Sequence, residues 1–139
     1  PKWDMGVAGH NCYEKRNGEY KPILFDDNLV KETYEEIGVK LRVFNSLNEF
    51  LKASKNLKGT IGYIFEKFLF KDSLNNEWVG AGFILTTETK LEFKDKEVID
   101  FRWLSLTELR EYLRKKDNYY SALPLILKKA EKFRTKYFN

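Results

Sequence analysis

Glu32, Glu35 and Glu36 stand at i, i+3 and i+4 within the stretch Asp27–Val39. On a helix of 3.6 residues per turn, that spacing gathers three carboxylates on one turn. Like charges so placed repel by about 0.2–0.5 kcal/mol per pair. A hard divalent cation coordinated by their oxygens offsets the repulsion. The helix that must carry them has Leu29, Val30, Thr33, Tyr34 and Ile37 as an apolar stripe, which places the glutamates on the opposite face. Gly38 follows as a left-handed C-cap. The competing reading is a solvated acidic face on a surface helix, the ordinary pattern opposite an apolar stripe. Spacing alone leaves both readings open.

Other residues of chemical interest are few. His10 is the single histidine and Cys12 the single cysteine, so no internal disulfide forms and a reducing, cytoplasmic setting is expected. Trp3, Trp78 and Trp103 could stack on a base, although tryptophans in strands more often belong to the core. No glycine-lysine phosphate loop, zinc-ligand spacing or nucleophile elbow is present. The chain opens Pro1-Lys2-Trp3-Asp4 without an apolar leader, and its apolar runs are too short for a membrane span. The net charge of +4 raises the question of nucleic acid. However, the basic stretches Arg110–Lys116 and Lys128–Lys136 interleave with glutamates, as solvated helix faces do, which argues against a nucleic-acid partner.

The elements that must position these groups read as one domain over residues 1–139, which is enough chain for a core. Trp3 to His10 alternates as a strand running into a loop, and Asn17-Gly18 marks a tight turn. After the acidic helix comes a short strand, Lys40–Phe44. Ser46 to Glu49 is a capping box that opens a helix through Lys55. Thr60–Lys71 and Glu77–Thr87 form an antiparallel hairpin, and Gly80 and Gly82 leave one face of it flat for something bulky or for another backbone. Val98–Leu104 alternates as a further strand. A second capping box at Ser105–Glu108 begins a helix with Leu106, Leu109, Tyr112 and Leu113 on its core face. The last helix, Ala122–Tyr137, aligns Leu123, Ile126, Leu127, Ala130, Phe133 and Tyr137, and Pro124 is tolerable in its first turn. Mixed elements without regular βα alternation predict an α+β fold with a mixed sheet.

Lys31-Glu32-Thr33-Tyr34-Glu35-Glu36-Ile37-Gly38-Val39 resembles the second half of the Nudix box, Arg-Glu-apolar-any-Glu-Glu-any-Gly-apolar. Trp3-Asp4 through Ala8-Gly9-His10 is similar to the strand entering that box in the branch that includes the isopentenyl-diphosphate isomerases. Glu97 with Val98–Leu106 is similar to a Glu-Val-x-x-x-Arg-Trp-apolar-Ser segment near the family's C-terminal end. The resemblance implies an α/β/α sandwich with a mixed sheet. It also implies a strand pair ahead of Trp3 that this chain lacks, so the sheet should be incomplete at that edge. The missing strands would lie upstream or come from elsewhere, and a homodimer stays open.

The activity implied is hydrolysis of a nucleoside diphosphate linked to another group, with Mg²⁺ or Mn²⁺ held by Glu32, Glu35 and Glu36 and the substrate a small nucleotide-type diphosphate. Glu77 or Glu97 would supply a further ligand or the general base. Lys31, Gly38, Gly9 and His10 would play supporting parts. The sequence departs from the pattern in three places. Lys31 replaces an arginine and loses its fork geometry. Gly9 lies 23 positions before Glu32, eight more than the pattern, whereas Gly18 is one position too close. The box's first glutamate would fall on Ile23 or Leu24, neither of which ligates a metal. Those departures keep open a second reading, a Nudix-fold domain that binds a ligand or mediates assembly without catalysis. Isomerase chemistry is disfavoured, because Ala8 stands where that branch has its catalytic cysteine and Cys12 lies on the wrong side of His10.

Overall fold

Asn17 and Gly18 take positive φ values of 52° and 83°, the backbone of a two-residue hairpin turn. They join β1 (Tyr13–Arg16) to antiparallel β2 (Glu19–Pro22), a two-stranded sheet of its own. The computed structural model describes residues 2, 4, 6–9, 11, 13–94, 96, 98–115 and 118–138.

Helix α1 (Phe25–Ile37) begins just ahead of the acidic stretch. It ends where Gly38, at φ 72°, donates its N–H to Tyr34 O at 3.1 Å. Strand β3 (Leu41–Val43) then pairs in parallel with β4 (Thr60–Lys71). A parallel pair needs a crossover, and α2 (Leu47–Ser54) supplies it, capped by Ser46 Oγ accepting from Glu49 N. Strand β4 turns back through Asp72–Asn75 into antiparallel β5 (Asn76–Thr86), giving a mixed three-stranded sheet in the order β3-β4-β5. Helices α3 (Leu106–Lys115) and α4 (Leu123–Tyr137) complete a mixed α and β architecture.

Alternation along the strands sorts what lies on each face of the sheet. Gly80 sits on the face covered by α1. A Cβ added there would lie 2.5 Å from Phe25 Cδ1, so the bulky partner anticipated for the flat glycine face is the Phe25 ring. On the other face α2 and α4 pack through aromatic rings. Fully buried Phe50 stacks on Tyr63 at 5.4 Å, and Phe133 lies 5.0 Å from Phe65 and 5.4 Å from Phe83. A bulge between Ile64 and Glu66 shifts the register. Beyond it Glu66, Phe68 and Phe70 pair with Ala81, Val79 and Glu77 on the α4 side.

Four expectations are corrected. None of the described residues between Lys2 and Gly9 is in a strand, while Trp3 and His10 lie outside the described residues. Val98–Leu104 forms no strand either. There the Asp100 carboxylate accepts from Phe101 N at 2.8 Å and pairs with Arg102 at 3.2 Å, local bonds that compete with a ladder. Ile99 and Trp103 stay exposed, as does Trp78, so these two tryptophans are not core residues. Helix α3 has its reciprocal cap, Ser105 N to Glu108 at 2.7 Å and Glu108 N to Ser105 Oγ at 3.2 Å. Its expected core face is only half-buried, however, and no residue of α3 is buried.

Candidate functional site on the acidic helix

Helix α1 is rotated relative to the expected stripe. Asn28, Thr33 and Glu36 are its buried residues, whereas Val30 and Tyr34 are exposed. The cause is a segment remote in sequence. Ala8 and Gly9 lie against the row Asn28, Glu32 and Glu36, which is spaced one turn at a time. Ala8 N donates to Glu36 Oε2 at 3.3 Å, which gives the inward carboxylate a backbone partner. Asn28 Nδ2 donates to Gly9 O at 3.3 Å. The Glu32 side chain lies so close to Gly9 that an added Cβ would meet its Cδ at 2.2 Å. Only glycine at position 9 leaves that space.

The three glutamates therefore divide. Glu36 is 8% exposed, and the side chains of Glu32 and Glu35 are 14% and 48% exposed. Lys31 Nζ lies 3.1 Å from Glu35 and 3.2 Å from Glu32. Its hydrogen bonds to Glu35 and then Glu32 raise the ammonium above its ordinary pKa. Lys31 thus draws Glu35 outward, so the single face expected for all three carboxylates is replaced by an inward pair and an outward one. Among the described residues, no three or more His, Cys, Asp or Glu side chains are grouped to hold a metal ion.

Asn28 is the residue that the spacing argument missed. It is 6% exposed, and with Nδ2 committed to Gly9 its Oδ1 is a buried acceptor without a partner among the described residues. Such an orphan costs about 1–3 kcal/mol. The signal was present as positions 28, 32 and 36 at intervals of one turn, but a neutral amide does not register in a search for carboxylates. One face of α1 thus carries an amide oxygen and two inward carboxylates beside a backbone carbonyl. This is an all-oxygen donor set of the kind hard divalent cations take, and magnesium commonly uses only one or two protein carboxylates.

The other expected residues are placed elsewhere. Glu77 pairs with Phe70 on the α4 side of the sheet, opposite α1, and accepts from the Tyr120 hydroxyl. Burial, then that carboxylate, raises the Tyr120 phenol above its ordinary pKa. Glu77 is thus not brought to the α1 carboxylates. Glu97, His10 and Cys12 lie outside the described residues. Gly38 closes the helix against the following segment, where Glu92 N donates to Ile37 O at 3.1 Å and Lys94 Nζ sits 3.7 Å over the Tyr34 ring. No helix among the described residues is long and apolar enough to cross a membrane. Comparisons with family models, with curated proteins and with solved structures give no match.

Proposed function

We propose that this chain is a divalent-metal-dependent hydrolase of the Nudix type, acting on the diphosphate bond of a small nucleotide-type substrate, with α1 as its metal-binding element. The observation that carries this reading is the buried Asn28 Oδ1, without a partner among the described residues, in line with inward Glu32 and Glu36. Glu32 and Glu36, one turn apart, would hold Mg²⁺ or Mn²⁺, Asn28, a turn earlier, would accept from a metal-bound water, and Gly9 keeps Glu32 in place. A bound divalent ion supplies charge neutralisation to the diphosphate and acidifies water. The residues of the chain contribute position. Ala8 N–H fixes one Glu36 oxygen, Lys31 restrains Glu32, and the 8–9 backbone shields the row from solvent. The layering of α1 on one face of the sheet and α2 with α4 on the other supports the sandwich that the resemblance implies.

The test is turnover of a panel of nucleoside diphosphate derivatives with Mg²⁺ or Mn²⁺. Activity should be lost in Glu32→Gln and Glu36→Gln. No metal binding by calorimetry together with no turnover on the panel overturns the reading.

The second reading is a ligand-binding or assembly domain of the same fold without catalysis. It is favoured by Lys31, whose ammonium already engages Glu32 and Glu35. Thermal stabilisation by a nucleoside diphosphate derivative without product formation supports that reading, and measurable turnover sinks it.

A further inference from the structure

On the sheet face away from α1, α4 and β4 enclose a groove of about 690 Å³. Lys128, Lys129, Lys132 and Lys136 line it, and half-buried Tyr63, Phe65, Phe133 and Tyr137 form its apolar part. Phe133 lies 6.1 Å from Tyr63 and 4.7 Å from Tyr137, so the rings make a connected surface. The bulge at Ile64/Glu66 helps to build it, because Phe65 and Glu66 both line the groove where strict alternation would send one away.

The charges are sorted by the fold. In the linear sequence Glu131 interrupts the lysines, but its carboxylate is held by Arg110 of α3 at 2.7 Å and does not line the groove. Among the described residues Glu66 is the one acidic group lining the groove, and Lys129 engages it while also sitting 4.7 Å over Phe68. Lys128 and Lys132 have no ion-pair partner among the described residues. Lys128, Lys132 and Lys136 recur every fourth residue, about 6 Å apart along the axis.

We infer that this groove binds a short stretch of single-stranded nucleic acid, with phosphates along the lysine row and bases against the rings. A basic track beside aromatic platforms is how such strands are held without base-specific contacts. A lone inorganic phosphate would use one lysine and none of the rings. A flat anionic membrane would not enter a concave groove.

The experiment is fluorescence anisotropy of the full chain with a labelled oligo-dT of about eight nucleotides, repeated over a salt series. Binding should be saturable, with a log–log salt slope of roughly −2 for three lysines at about −0.7 each. Lys128→Ala with Lys132→Ala should weaken it at least tenfold and flatten the slope by about 1.4. These side chains are exposed, so the far-ultraviolet circular dichroism should be unchanged. Tyr137→Ala should weaken binding roughly five- to hundredfold, the range for one stacked base, and leave the slope unaltered. The inference is overturned by absence of binding at low salt or by full binding in the lysine variant. Inorganic polyphosphate of equal charge binding as tightly as the oligonucleotide, or anionic vesicles binding more tightly, also overturns it.

Discussion

Replacing Gly9 with alanine separates the position of one carboxylate from the stability of the fold. Gly9 does not take a positive φ, so alanine brings no backbone strain. The new Cβ would lie 2.2 Å from Glu32 Cδ and 2.3 Å from its Cγ, and ordinary contact begins near 3.4 Å, so the side chain must swing aside by about 1.2 Å. That movement is a rotation of a flexible side chain about χ1 and χ2, and an off-rotamer shift costs about 0.5–1.5 kcal/mol. Loss of glycine's freedom in the unfolded chain returns about 0.4–1 kcal/mol. The net stability change should stay under about 1 kcal/mol, a few degrees of melting temperature at this size. Function should respond far more, because misplacement by about 1 Å can cost on the order of a hundredfold in rate. Calorimetric titration with Mn²⁺ should show affinity reduced at least tenfold in Gly9→Ala, beside an almost unchanged melt. Unchanged Mn²⁺ affinity in the variant would refute the idea that Gly9 positions Glu32, whereas a wild-type chain that binds no Mn²⁺ would refute the metal site itself.

Gly38→Ala should be destabilised by at least about 1–2 kcal/mol, the cost of a left-handed residue with a Cβ. Its φ is 72°, and the added atom would lie 2.8 Å from the Glu92 carbonyl oxygen. Urea denaturation measures this, and an unshifted midpoint rejects it. Asp72 gives a pH prediction. Hydrogen bonds from Ser121 and Asn75, and from Leu74 N at 2.7 Å, hold its carboxyl well below the usual range. A depressed folded pKa means that the stabilisation is complete above the unfolded value near 3.9 and is lost as pH falls below it. The melting-temperature gap between wild type and Asp72→Asn should be widest above about pH 5 and close below about pH 4. A gap independent of pH removes the charge from the account.

The features legible in the sequence are those decided locally. Asn17-Gly18 specifies its turn through two positive φ values, Ser105 and Glu108 cap each other across three residues, and Gly38 ends α1 by its own conformation. The β4–β5 hairpin is legible because β-branched and aromatic runs flank a short polar turn. The orientation of α1 was not legible. Leu29, Val30, Thr33, Tyr34 and Ile37 make an acceptable stripe, yet the buried side is chosen by Ala8 and Gly9, which supply a backbone donor for Glu36 and space for Glu32. A hydrophobic count cannot anticipate a carboxylate made tolerable by a partner 28 residues away in sequence.

The sheet explains why chemical groups that look equivalent in sequence part company. Glu77 and Gly80 are close along β5, but they stand three positions apart, an odd offset, so alternation sends them to opposite faces. Gly80 accepts Phe25 under α1, while Glu77 meets Tyr120 beside α4. The bulge in β4 acts in the same way on Phe65 and Glu66, which both line the α4 groove. The two proposed sites are consequently separated by the thickness of a sheet. A variant in the Lys128–Lys132 row should leave Mn²⁺ binding at α1 intact, and Gly9→Ala should leave oligonucleotide binding intact. Coupling between them would require a rearrangement of β4 and β5, whose antiparallel ladder runs from Thr60–Thr86 to Lys71–Asn76 with a bulge at Ile64/Glu66.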